Sequence, residues 1–135
     1  MTSGPAPIPK GGLSKGCRIR RRSDYKRIQE AGLRLQTQHF IFVMAKRSDG
    51  DGPNQGARLG MVVSRKIGNA VVRNRVKRLV REAFRATRGQ FGDGLDLVVI
   101  ARSTQAQLGL ADVISEWVAA EERIMRLSAR LALAQ

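Results

Sequence analysis

Apolar residues recur along the chain in more than one rhythm. Val72, Val76, Leu79, Val80, Ala83 and Phe84 fall at the spacing that lays one stripe along an α-helix. Leu110, Val113, Ile114, Trp117, Val118, Ile124, Met125 and Leu131 repeat it over about 20 residues, which predicts a second long helix. Phe40 to Ala45 is instead a continuous apolar run rich in strand formers, bounded by the turn-rich stretch Ser48 to Gly56. Arg58 to Ser64 reads as a second strand, expected to be its hairpin partner, and Leu95 to Ala101 as a third or fourth. Upstream, Ser23 is a candidate N-cap and Asp24 suits a first turn, so a short helix is expected from Asp24 to Glu30, stopping at Gly32.

Residues Met1 to Cys17 show neither rhythm. Pro, Gly and Ser dominate there, which predicts a flexible tail at 1–17 ahead of a single domain at 18–135. The order helix, strands, helix, strand, helix reads as an α+β fold, one two-layer sandwich of a sheet with helices against it. Within the first strand, Phe40, Phe42 and Met44 point one way and Ile41, Val43 and Ala45 the other. The bulkier set is the expected core. The second set either lines a cleft or lies under a further layer.

Charge changes this picture most. Lys plus Arg number 25 and Asp plus Glu 11, a net charge of +14. Such an excess opposes compaction and draws polyanions, nucleic acid first and an anionic membrane surface second. Arginine dominates, and its planar fork suits bidentate phosphate contacts. A single cysteine, Cys17, excludes an internal disulfide and fits a reducing compartment. With one histidine beside it, a Cys/His zinc site is excluded too. The early prolines and glycines do not read as a signal peptide, and no run approaches the roughly 20 apolar residues that span a bilayer. A cytoplasmic protein without a membrane partner is expected.

The cations concentrate on one predicted helix. At about 100° per residue, Asn74, Lys77, Arg78, Arg81, Arg85 and Arg88 oppose the apolar stripe, with Arg73 and Arg75 on its flanks. Like charges four residues apart, Lys77/Arg81 and Arg81/Arg85, each cost a few tenths of a kcal/mol. A merely solvated helix would interleave glutamates, but only Glu82 is acidic here. The pattern makes sense if a phosphate backbone neutralises it. In the preceding loop Arg65 and Lys66 leave the second strand, Gly68 permits a tight turn and Asn69 can cap the helix, whose N-terminus itself attracts anions.

The run from Arg65 to Phe84 resembles the signature of the bacterial ribonuclease P protein family, whose hallmark is Arg-Asn-Arg followed by a basic helix. Arg73, Asn74 and Arg75 match that triplet, and Lys66, Gly68, Asn69, Lys77, Arg78, Leu79, Arg81 and Phe84 also fit the pattern. The resemblance extends over roughly Arg18 to Arg126. It implies a sheet of about four strands with three helices and a left-handed crossover through the basic helix. It also implies that the protein is the non-catalytic subunit of a ribonucleoprotein endoribonuclease, in which RNA carries the chemistry. Arg65, Lys66, Asn69, Arg73, Asn74, Arg75, Lys77, Arg78 and Arg81 are then expected to bind the catalytic RNA, one protein to one RNA. A cleft between the first helix and the sheet is expected to take the single-stranded 5′ leader of precursor tRNA, with Tyr25, Ile41 and Val43 as its lining. Tyr25 is the stacking candidate, or equally a half-buried core residue. Where the family often has a second aromatic, this chain has Ile28 and Gln29. Mg²⁺ is expected in the assembled enzyme, with none bound by the protein alone.

Other candidates carry less. His39 has no acid or nucleophile nearby in sequence and reads as a surface or capping residue. Asp49 and Asp51 lie in a Gly-rich loop and Asp93 and Asp96 flank another; either pair could touch a metal, but a solvated turn is the far commoner use of such residues. Trp117 sits on an apolar stripe and reads as core. The basic stretch from Lys10 to Arg22 is a phosphate anchor or a solvated arm, the anchor being favoured. No catalytic apparatus is found. The main rival function is a ribosomal or other structural RNA-binding protein. A DNA-reading protein would need a less uniformly cationic recognition helix.

Overall fold

The computed structural model describes residues 18–47, 56–92, 94–102 and 108–133. The tail at 1–17 and the loop residues Asp49, Asp51 and Asp93 lie outside them. The elements run α1 (Arg22–Ala31), β1 (Leu33–Gln36), β2 (Phe40–Lys46), β3 (Arg58–Val62), α2 (Ala70–Ala86), β4 (Leu95–Ala101), α3 (Leu110–Ala119) and α4 (Glu121–Leu133). The four strands form one mixed sheet in the order β1-β2-β4-β3. β1 and β2 pair antiparallel, as do β2 and β4, while β3 and β4 run parallel.

The α+β class and both long predicted strands at 40 and 95 stand. The pairing of the second strand does not. β3 is no hairpin partner of β2; it pairs with β4, and α2 provides the crossover that a parallel pair requires. Strand β1 was not expected, because Leu33-Arg34-Leu35-Gln36 is too short for its alternation to stand out. α1 begins at Arg22 with Arg21 at its N-cap position, so Ser23 is the second residue of the helix and caps nothing. The long C-terminal helix is two helices, broken at Ala120 (φ −92°, ψ 0°). No Gly or Pro marks that break, and the apolar period runs across it.

Sheet register sorts the core. Phe40, Phe42 and Met44 face α2, α3 and α4, together with Leu59, Leu97, Val99, Val76, Val80, Phe84 and Ile124. Trp117 is fully buried among them, its ring edge-on to Phe40 and Phe42 at 5.9 and 5.0 Å. Val118 and Met125 were expected on this stripe but are about half exposed, each one position past a fully buried residue, Trp117 and Ile124, and so turned about 100° away from the core. The opposite face of the sheet carries Val43, Ala45 and Val98, covered by Ile28 of α1.

Candidate RNA interface

α2 starts where two local features meet. Arg65-Lys66-Ile67 form a short 3₁₀ turn that buries Ile67 and leaves Arg65 and Lys66 exposed. Gly68 then takes φ 156°, and a Cβ there would lie 2.9 Å from the Val72 side chain, so glycine is required on both counts. The Asn69 side chain accepts a hydrogen bond from the Val72 N–H at 3.0 Å, which is the cap expected for it. The first turn of α2 contains no acid, so nothing offsets the positive end of its dipole.

The stripe Val76, Leu79, Val80, Ala83 and Phe84 is buried, and the cations fall on the other sides. Asn74, Arg75 and Arg78 are exposed; Arg73, Lys77 and Arg81 are partly exposed. Arg75 donates to the Leu108 carbonyl and so ties α2 to the entry of α3. Arg88 lies over the Phe84 ring, 5.8 Å from its centroid. Among the described residues, Arg65, Lys66, Arg73, Lys77, Arg78 and Arg81 form no ion pair. All nine residues expected to bind RNA therefore belong to one continuous stretch, the 3₁₀ turn and α2, with six cations held side by side and uncompensated.

The α1 side of the sheet is built in rows. Gln36, Ile41, Ile100 and Val62 are paired across the four strands, and the next row is Arg34, Val43, Val98 and Gly60. α1 covers the second row. Val43 is fully buried beneath it, so Val43 does not line an open cleft. Ile28 is also fully buried, which explains why an aliphatic residue serves there. Ile41, Ile100 and Val62 in the first row remain partly exposed, beside the half-buried Tyr25. Tyr25 is held closely. A Cβ on Gly60 would sit 2.9 Å from its ring, and its hydroxyl accepts from the Met61 N–H of edge strand β3 at 3.1 Å. Ring packing on the sheet and partial exposure thus coexist in this residue. Tyr25, Ile41, Ile100 and Val62 together form a partly exposed patch on this side of the sheet.

Two acidic centres were missed from the sequence because their partners are remote along the chain. Asp96 is fully buried rather than part of a solvated turn. Arg58 grips it with two bonds of 2.7 and 2.8 Å, Arg27 donates from α1 at 2.6 Å, and Arg27 also reaches Asp24 at 3.4 Å. This bidentate, charge-assisted cluster clamps α1 to the sheet. Glu116 in α3 accepts from the His39 N–H at 2.8 Å, from Thr37 Oγ1, and pairs with His39 Nδ1 at 2.7 Å. His39 therefore has an acidic neighbour, supplied from 77 residues away. Burial pushes the Glu116 carboxyl up, but the bonds from Thr37 and His39 outweigh it and hold the group below the ordinary carboxylate range. Neither centre lies on the cationic face of α2.

Comparison with known proteins agrees with this fold. The family model described as Ribonuclease P matches residues 13–125. The ribonuclease P protein component of Syntrophus aciditrophicus is 45% identical over 104 residues, covering 77% of this chain and 83% of that protein. The corresponding protein of Desulfovibrio desulfuricans is 40% identical, covering 84% and 87%. Among solved structures, the RNase P protein from Thermotoga maritima superposes with a TM-score of 0.66 at 34% identity, covering 78% of this chain and 96% of that one. The Staphylococcus aureus RNase P protein gives 0.67 at 27% identity, covering 83% and 97%.

Proposed function

The chain belongs to the ribonuclease P protein family, the protein subunit of a ribonucleoprotein endoribonuclease, and from that membership we propose which surface meets which RNA. The cationic face of α2, with Arg65 and Lys66 before it and Asn69, Arg73, Asn74, Arg75, Lys77, Arg78 and Arg81 within it, docks on the catalytic RNA. The partly exposed row beside Tyr25 takes the single-stranded 5′ leader of precursor tRNA, one protein serving one RNA in the cytoplasm. The observation that carries the first assignment is the set of six cations on the turn and α2 that meet no acid among the described residues. A protein pays for such repulsion only where an external anion relieves it. The second assignment is supported by chemistry: single strands bind where flat or apolar side chains lie near positive charge, and Tyr25, Ile41, Ile100 and Val62 offer that beside the cations of α1.

The protein contributes binding and orientation rather than bond cleavage. Among the described residues no three His, Cys, Asp or Glu side chains converge as a metal site. The Mg²⁺ expected in the assembled enzyme would be held mainly by the RNA. Reconstitution tests the reading. Added to its own catalytic RNA at low Mg²⁺, the protein is expected to restore cleavage at the mature 5′ end of precursor tRNA, more strongly for a long leader than a short one. Tyr25→Ala is expected to shrink the leader-length benefit while leaving affinity for the catalytic RNA unchanged. Equal cleavage with and without protein would refute the function, and an undiminished leader effect in Tyr25→Ala would refute the cleft.

A further inference from the structure

Val71 does not fit a face built only for phosphate. Its side chain is 76% exposed, among the most exposed large apolar side chains described. The next residue, Val72, packs against the core and over Gly68, so the helix already has its inward contact at that turn. A single exposed valine is common on protein surfaces. Its position is what is unusual. Val71, Asn74, Arg75 and Arg78 are spaced i, i+3, i+4 and i+7 and form one stripe along α2, so the apolar group lies at the head of the cationic row. Ala70, also exposed, extends it into a small apolar shelf on the first turn. This is where acids are normally favoured by the helix dipole, and none is present. Valine is a poorer helix former than alanine or glutamate, so local stability does not explain it.

We propose that the Ala70–Val71 shelf packs against the face of a nucleoside in the catalytic RNA, a base plane or the C–H side of a ribose, while Arg75, Arg78 and their neighbours hold the flanking phosphates. The inference rests on the assignment of α2 to the catalytic RNA and deepens it. A phosphate gains nothing from a valine. An unstacked base or an exposed ribose edge does, and RNA loops and minor grooves present both. α2 would then read local RNA shape at its N-terminal turn and bind charge along the rest of its length.

Two components of affinity follow, and salt separates them. Charge contacts release counterions and weaken as salt rises, with a slope of about 0.7–0.9 per phosphate in a log–log plot. Apolar burial carries no such dependence. The test is a titration of the catalytic RNA with the full-length protein at a series of salt concentrations, for wild type, Val71→Ser and Arg78→Ala. Val71→Ser is expected to raise Kd by about 3- to 10-fold at every salt concentration with an unchanged slope. Arg78→Ala is expected to weaken binding at low salt and to flatten the slope by roughly 0.7–0.9. Val71→Ala, a better helix former, checks the fold: it should melt at or above wild type and still bind more weakly. A Val71→Ser affinity within twofold of wild type overturns the inference, as does a loss that fades with rising salt. If Arg78→Ala binds normally too, the assignment of α2 itself fails; if Arg78→Ala weakens binding and Val71→Ser does not, only the nucleoside contact fails.

Discussion

Arg27 and Arg58 close on a buried aspartate, whereas Arg73, Lys77, Arg78 and Arg81 line α2 without meeting an acid among the described residues. Both groups are dense clusters of positive charge, yet their energetics are opposite. Around Asp96 every strong contact is internal, short and largely removed from water, so the charges are satisfied by the fold and fix α1 on the sheet. Along α2 the charges repel one another, and the free protein gains nothing from having them there. The first cluster is architecture. The second, on the proposed function, is a binding surface whose compensation comes from another molecule. Arginine content alone cannot distinguish them; the presence or absence of a buried carboxylate does.

Breaking the internal cluster should have the largest effect on stability. Asp96→Ala removes the short contacts that Arg58 and Arg27 make with its carboxylate and the longer one from the largely buried Arg47, and a loss of about 3–5 kcal/mol in denaturant unfolding is expected; a loss under about 1 kcal/mol would show that the cluster is not a clamp. Removing the α2 cap comes next. Asn69→Ala should cost about 1 kcal/mol, read in the same experiment. Acid sensitivity should follow from Glu116. Its carboxyl is held low in the folded state, so its stabilising contribution is present above the ordinary carboxylate range and is lost as pH falls through and below it. Melting temperature should therefore drop in acid, and Glu116→Gln should flatten that drop; an equally steep fall in the variant would contradict the role. The smallest stability change should have the reverse sign. Lys77→Glu places an acid four residues before Arg81 and four after Arg73, and should stabilise the free protein by about 0.5 kcal/mol. The same change should weaken binding of the catalytic RNA by about tenfold or more, since a cation becomes an anion at the interface. Only an interface residue gains stability and loses binding together.

The α2 surface was legible in the sequence because everything it needs is local: a cap at Asn69, a stripe at helical spacing and cations opposite it. The same holds for β2 and β4, whose apolar runs have nearly the bounds observed. What escaped depends on distant pairing. Nothing near Asp96 announces Arg27 and Arg58, and nothing near His39 announces Glu116. The partner of β3 could not be read either, since a strand followed by a helix and another strand is as compatible with a parallel crossover as a nearby strand is with a hairpin. Val43 was placed in the cleft by alternation alone. Alternation gives the face, but only the position of α1 decides which residues on that face are covered.

The most direct measurement is the affinity of the full-length protein for its catalytic RNA as a function of salt, compared between Arg78→Ala/Arg81→Ala and Arg27→Gln. With about 6 phosphate contacts, the wild-type log–log slope should be near −4 to −5. The α2 double variant should lose about 1.5–2 of that slope, while Arg27→Gln, whose guanidinium is engaged by Asp96 and Asp24, should keep it. A wild-type slope near zero, or an equal loss of slope in both variants, would contradict the division of the molecule into an internally compensated cluster and an RNA-binding face.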